Sequence, residues 1–131
     1  MRNILTILIS FIIIFNFGCG SFSGNESSMD SKFSLLVSSI SPSDGVSSVS
    51  TDTSISVTFS EEMTSSSITT NTSNTNCSGS FQISSDDFSS CVQMSSSPTA
   101  SNSNKTFTVT PSSRLFYGTV YKVRLNESVK D

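Results

Sequence analysis

The sequence contains no histidine and no tryptophan, and only 13% of its 131 residues are charged. Without histidine, the chain cannot build a Ser-His-Asp or Cys-His catalytic group or a His-ligated zinc site. No lysine has a serine three residues before it, and neither a Gly-rich phosphate loop nor an EF-hand spacing is present. We therefore predict a protein that is not an enzyme and that uses no cofactor and no metal.

Basic residues are also scarce, with 7 Lys and Arg against 10 Asp and Glu, for a formal net charge of −3. Because no basic stripe is present, we predict no nucleic-acid partner. A late cluster of cations either forms a small positive patch or lies on a solvated strand face, and we favour the strand face. The cluster contains Arg114, Lys122, Arg124 and Lys130.

Two acidic pairs, Glu61-Glu62 and Asp86-Asp87, are candidate calcium ligands. Adjacent residues in a strand or at its end point to opposite faces. This favours solvated carboxylates over a shared metal site.

Serine dominates the composition, and threonine and asparagine are also plentiful. Such a chain is either disordered or an all-β domain with short strands and many turns. Disordered segments have few aromatic and β-branched residues, whereas this chain has 10 phenylalanines and regularly spaced Val, Ile and Thr. We therefore predict one folded all-β domain.

The N-terminus has the features of a secretory signal over residues 1–18. Arg2 supplies a positive charge, and Ile4–Phe17 form an apolar run of 14 residues, which is shorter than the roughly 20 needed for a spanning helix. Gly18 and Cys19 follow directly. Residues 19–33 are rich in Gly, Ser and Asn without an apolar period, which predicts a flexible tether.

The Gly18-Cys19 junction resembles the lipobox of bacterial lipoproteins, in the loose form that spirochaetal lipoproteins tolerate. Asn16 and Phe17 depart from the common pattern, which has leucine at the first of these positions. The resemblance implies cleavage before Cys19, acylation of its sulfur and amine, and membrane attachment at the outer membrane or cell surface. The alternatives are an ordinary cleaved signal peptide with a stray cysteine, or an uncleaved anchor.

Apolar residues alternate with polar ones in three segments after position 33, as half-buried strands require. Weaker strand candidates lie at 34–40, 80–84 and 91–95, and turn signals lie at 41–45, 72–79, 95–104 and 117–118. No helical stripe is present, so the pattern predicts a β-sandwich of about six strands. The side chains predicted to point inward are Ile55, Val57, Phe59, Phe107, Val109, Tyr121, Val123 and Leu125.

Two segments resemble the SbsA-type bacterial Ig-like domain. The first carries Pro42, Gly45, Val49, Ile55, Val57, Phe59, Ser60 and Met63, and the second carries Thr110, Pro111, Leu115, Gly118 and Tyr121. The resemblance implies a seven-stranded Ig-like sandwich over residues 34–131, without enzymatic activity. A final strand usual in the family has no counterpart before Asp131, so we count about six of the seven strands and expect a C-terminally incomplete domain.

Cys77 and Cys91 remain if Cys19 carries lipid. An even number of cysteines in an exported chain favours a disulfide, here around a 15-residue segment that contains one strand candidate. The alternatives are two free thiols or a metal pair, and the absence of histidine and of a CxxC motif argues against the metal.

Two functions follow from these features. One is a lipid-anchored cell-envelope protein whose Ig-like domain serves as a spacer or adhesion module toward an unidentified protein or matrix ligand. The other is a fragment of a longer repeat protein of the cell surface, without independent activity. An enzyme has no positive support in the sequence.

Overall fold

The computed structural model of the protein describes residues 37–131, and this part contains six β-strands and one 3₁₀ turn at Ser65–Ser67. The strands are β1 (Val37–Ser41), β2 (Ile55–Phe59), β3 (Phe81–Ser84), β4 (Thr99–Ser101), β5 (Thr106–Val109) and β6 (Lys122–Leu125). The signal segment 1–18, Cys19 and the tether 19–33 lie outside the described residues. Within the described part, no helix has the length and apolar character that a membrane span requires.

The strands form two antiparallel sheets. The larger sheet has the order β1-β2-β5-β4, and the smaller one pairs β3 with β6. In the larger sheet Val57 lies opposite Phe107, and in the smaller one Ile83 lies opposite Val123. All four side chains are buried, so the two sheets pack face to face. The predicted all-β sandwich is confirmed.

Strand β2 shows why the alternating pattern was informative. Ile55, Val57 and Phe59 are buried in the core, and the residues between them are partly exposed. The rings of Phe59 and Phe107 meet edge to face with their centroids 6.1 Å apart, a favourable aromatic geometry. Every side chain predicted to point inward is buried except Leu125, which is partly buried at the margin of the core.

The opposite face of the larger sheet carries hydroxyl pairs instead of apolar side chains. Ser56 Oγ lies 2.8 Å from Thr108 Oγ1, and Thr58 Oγ1 lies 3.0 Å from Thr106 Oγ1. These pairs join residues that are directly opposite each other in the β2–β5 register. Cross-strand hydroxyl pairs of this kind stabilise a sheet modestly, which explains the Ser and Thr at alternate positions.

Two expectations were wrong. Residues 91–95 are not a strand: the N–H groups of Val92, Met94 and Ser95 donate to three different segments, and only an isolated bridge between Met94 and Pro111 forms. Residues 99–101, which lie in a predicted turn, form β4. This edge strand is exposed along its whole length, so its sequence carries no apolar alternation. A turn with positive φ at residues 102–104 joins β4 to β5.

Candidate interaction surface

The disulfide between Cys77 and Cys91 defines one flank of the smaller sheet. Their Cα atoms are 4.9 Å apart, and the closed segment, which we call the disulfide loop (residues 77–91), contains β3. Cys91 is buried, and its N–H donates to the carbonyl of Thr75 over 2.8 Å. The bridge therefore connects the chain before β3 to the chain after it.

Asp86 organises the turn that follows β3. Its carboxylate accepts hydrogen bonds from the hydroxyl of Ser84 over 2.7 Å, and from the N–H and hydroxyl of Ser90 over 2.9 and 2.6 Å. These bonds, first the one from the Ser90 hydroxyl, lower the pKa of Asp86 from 3.8 to about 2. Asp86 is exposed, as the sequence favoured, and its carboxylate is also a structural acceptor within the turn.

The two cations of β6 contact this turn. Lys122 forms an ion pair with Asp87. The guanidinium of Arg124 lies 4.0 Å from the ring centroid of Phe88, and its Nε donates to Oε1 of Gln82 over 2.8 Å. Burial lowers the pKa of Arg124. The outward orientation predicted for both cations is correct, but the disulfide loop covers part of that face.

The other two members of the predicted cationic cluster lie elsewhere. Arg114 lines an open hollow with Asp52, and the backbone carbonyl of Lys130 accepts a hydrogen bond from the N–H of Thr64. Glu61 and Glu62 are exposed, and Glu62 accepts a hydrogen bond from Asn104 over 3.3 Å. Among residues 37–131, no group of three or more Cys, Asp and Glu could hold a metal ion.

The segment before β6 exposes apolar side chains, and the sequence pattern did not predict their exposure. Phe116, Tyr117 and Val120 are 76%, 62% and 40% exposed. Their neighbour Leu115 is buried, and its N–H donates to the carbonyl of Thr51 over 2.7 Å, which anchors the segment. In the sequence, the only indication of this surface is the cluster of Phe116, Tyr117 and Val120 around Gly118. Alternation of apolar and polar residues does not predict which side chains of a loop are exposed.

Tyr121 lies at the end of this segment and makes a hydrogen bond that is characteristic of the fold. Its ring is buried, and its hydroxyl accepts a hydrogen bond of 2.9 Å from the N–H of Phe116, five residues upstream. A tyrosine at the start of the sixth strand that bonds back to the preceding corner is a hallmark of Ig-like sandwiches. A sequence model described as the bacterial Ig-like domain matches residues 33–131.

The chain belongs to the bacterial Ig-like domain family. Neither a curated protein nor a solved structure matches it. Bacterial Ig-like domains are in general non-catalytic, and this membership supports a surface or spacer module. The predicted acylation site, Cys19, lies outside the described residues of this Ig-like protein.

Proposed function

We propose that this Ig-like protein is a lipid-anchored component of the bacterial cell envelope, in which the sandwich acts as a non-enzymatic spacer or adhesion module. The observation that carries the proposal is the order of features along one chain. An apolar run at Ile4–Phe17 meets Gly18 and Cys19, and an Ig-like domain begins after a short polar segment.

Two further observations support export. The Cys77–Cys91 disulfide is of the kind that persists in oxidising compartments outside the cytoplasm. Bacterial Ig-like domains are also typical of surface proteins. Several acyl chains on one cysteine would hold the protein durably at a membrane, because each buried methylene contributes about 0.8 kcal/mol.

Metabolic labelling with a fatty acid tests the anchor. The wild-type protein should incorporate label and partition into detergent, and Cys19→Ser should do neither. The matched control is the double variant Cys77→Ala/Cys91→Ala, which removes the other two cysteines and should keep the label. A Cys19→Ser protein that remains labelled would refute acylation at this residue.

Protease treatment of intact cells then separates an outward-facing module from one that faces the periplasm. Digestion of the Ig-like domain without cell lysis supports a role at the surface. Protection in intact cells, with digestion after the outer membrane is opened, would limit the domain to a spacer role within the envelope.

A further inference from the structure

An open hollow lies between the turn that precedes β2 and the segment that follows β5. The N–H of Leu115 donates to the carbonyl of Thr51 over 2.7 Å, which holds the two segments together. The hollow has a volume of about 210 Å³. This is less than the roughly 300–1,000 Å³ of a site for a drug-sized ligand, so the hollow accommodates one ring-sized unit. The lining residues are Asp52, Thr110, Pro111, Ser112, Ser113 and Arg114.

The lining of the hollow offers both donors and acceptors of hydrogen bonds, and its two charges are opposite. Asp52 and Arg114 are exposed, and the hydroxyl of Ser50 donates to the carboxylate of Asp52. A guanidinium only donates and a carboxylate only accepts, whereas serine and threonine hydroxyls do both. A ligand that satisfies this lining must therefore donate as well as accept, and it needs no net charge.

Two exposed aromatic rings follow the hollow directly along the chain. Phe116 and Tyr117 come two and three residues after Arg114 and are 76% and 62% exposed. Because consecutive Cα atoms are about 3.8 Å apart, the Cα atoms of both residues lie within roughly 11 Å of that of Arg114. The buried Leu115 and the hydrogen bond from the N–H of Phe116 to the Tyr121 hydroxyl hold this backbone. Exposed aromatic rings beside a hollow are typical of a binding surface.

The sheet face next to the hollow carries hydroxyl groups. Oγ1 of Thr110, which lines the hollow, lies 2.8 Å from Oγ of Ser54. The two hydroxyl pairs between β2 and β5 continue from this pair along the same face, at intervals of about 6.8 Å. A polymer of hydroxyl-bearing units that extends beyond the hollow therefore meets further hydroxyl groups.

The hollow lies at the end of the sandwich opposite to the end at which the chain enters. Strand β1 begins at Val37, which lies opposite Phe59 at one end of β2. Ile55, at the other end of β2, lies opposite Val109, and the segment that lines the hollow begins directly after Val109. The anchor proposed above precedes Val37, so the hollow is at the end of the domain remote from the point of attachment.

We propose that this end of the domain binds an uncharged glycan, with one pyranose ring in the hollow and a neighbouring ring stacked on Phe116 or Tyr117. Glycan binding here rests on the adhesion role proposed above and names its class of ligand. A pyranose whose substituents are equatorial has a flat face of C–H groups, which the negative face of an aromatic ring attracts. Its hydroxyls both donate and accept, as Asp52 and Arg114 together require.

Other classes of ligand fit the surface less well. An anionic polymer brings like charge to Asp52, and a cationic polymer brings like charge to Arg114. An apolar side chain of a peptide would displace water from both charged groups without offering them hydrogen bonds, which is unfavourable. A neutral sugar avoids both costs, because its hydroxyls replace the displaced water.

The test uses the full-length chain in a zwitterionic detergent, because a detergent with a sugar headgroup would compete for the site. The probes are cellohexaose and N-acetylchitohexaose, which are uncharged chains of pyranose rings with equatorial substituents. Saturation-transfer NMR should show binding of at least one probe, with the strongest transfer at the axial C–H protons. Its dissociation constant should change by less than about twofold between about 0.05 and 0.5 M salt, because the ligand carries no charge.

Variants of exposed side chains separate the rings from the rest of the loop. Phe116→Ser/Tyr117→Ser should weaken binding at least about tenfold, whereas Phe116→Tyr/Tyr117→Phe, which keeps two rings, should stay within about threefold of the wild type. Arg114→Gln should weaken binding about tenfold through the loss of charged hydrogen bonds. The matched control is Lys130→Gln, an exposed cation outside the hollow, which should leave the affinity unchanged. Circular dichroism checks that each variant is folded.

Several outcomes would overturn the inference. These are binding of neither sugar, equal losses in the serine and ring-swap double variants, or an equal loss in Lys130→Gln. Tighter binding of a capped hexapeptide of alternating Ser and Leu would assign the surface to a protein partner instead, and tighter binding of a heparin hexasaccharide would assign it to a polyanion. Absence of sugar binding with Cys19 still labelled refutes this inference alone, and an unlabelled chain that binds sugar refutes only the anchor.

Discussion

Removal of the Cys77–Cys91 bridge should cost the domain a large share of its stability. The bridged residues are 14 apart in sequence. For a closed loop of about 15 residues, the chain-entropy model gives about 3 kcal/mol of stabilisation. Domains of this kind unfold with about 5–15 kcal/mol, so the double variant Cys77→Ala/Cys91→Ala should remain folded but be much closer to its unfolding threshold.

The other contacts of the disulfide loop are too weak to replace the bridge. The Lys122–Asp87 ion pair joins an aspartate whose side chain is 78% exposed, and exposed pairs of this kind contribute about 1 kcal/mol or less. Alanine is the better replacement at position 91, because Cys91 is buried and a serine hydroxyl there would need a hydrogen-bond partner.

Urea unfolding followed by far-ultraviolet circular dichroism measures the effect, since the chain lacks tryptophan. The free energy of unfolding should fall by about 3 kcal/mol in the double variant. Reductant should lower the stability of the wild type to a similar value and leave the variant unchanged. A loss below about 1 kcal/mol, or a variant that still responds to reductant, would refute the assignment of this stability to the bridge.

Three further predictions concern single side chains. Gly79→Ala should destabilise the domain by about 3 kcal/mol or more, because a Cβ at φ +85° would lie 2.7 Å from the Cα of Thr70. The control Gly45→Ala, at φ +71° with no atom within 4 Å of the added Cβ, should destabilise it by only about 1 kcal/mol. Equal losses of stability in thermal melts of the two variants would contradict the steric argument. The pKa of Asp86 lies at about 2, below its ordinary 3.8, so the stability that the ionised carboxylate contributes is present above about pH 4 and is lost as the pH falls toward 2. In Asp86→Asn the free energy of unfolding should therefore fall less steeply between about pH 4 and pH 2 than in the wild type. An unchanged pH dependence in this range would contradict the prediction. Tyr121→Phe should lower the free energy of unfolding in urea by about 1 kcal/mol, whereas Tyr117→Phe, on an exposed ring, should leave it unchanged. If Tyr121→Phe also left it unchanged, the hydrogen bond between the Tyr121 hydroxyl and the N–H of Phe116 would not be a stabilising contact.

Local alternation predicted most of the sandwich because it reports burial directly. The segments around Ile55 and Phe107 place every second residue in the core, and the segment around Val123 does so except at Leu125, which is partly buried. The alternation does not predict structure where a strand is exposed on both faces, as at Thr99–Ser101. It also fails where the backbone forms hydrogen bonds with several segments in turn, as at residues 91–95. These two segments account for the errors in the predicted strands.

The candidate interaction surface was less predictable, since it depends on contacts between residues far apart in sequence. The alternation around Lys122 and Arg124 predicted their outward direction, but it did not predict that Asp87 and Phe88 would meet them. Asp86 is exposed, as predicted, but its role as an acceptor was not predicted, because that role needs Ser84 and Ser90 to converge in one turn. A turn of this kind depends on backbone conformation, including the positive φ of Asp87 and Phe88.

By itself, the sequence determined the class of fold, the inward faces of β2, β5 and β6, and the family to which the chain belongs. These properties follow from the order of residue types along the chain, because side-chain period and burial are coupled locally. Only the tertiary structure decided which strands pair and how the disulfide loop covers Lys122 and Arg124. Hydrogen-bond partners in a sandwich are distant in sequence, so their choice depends on the packing of the whole domain.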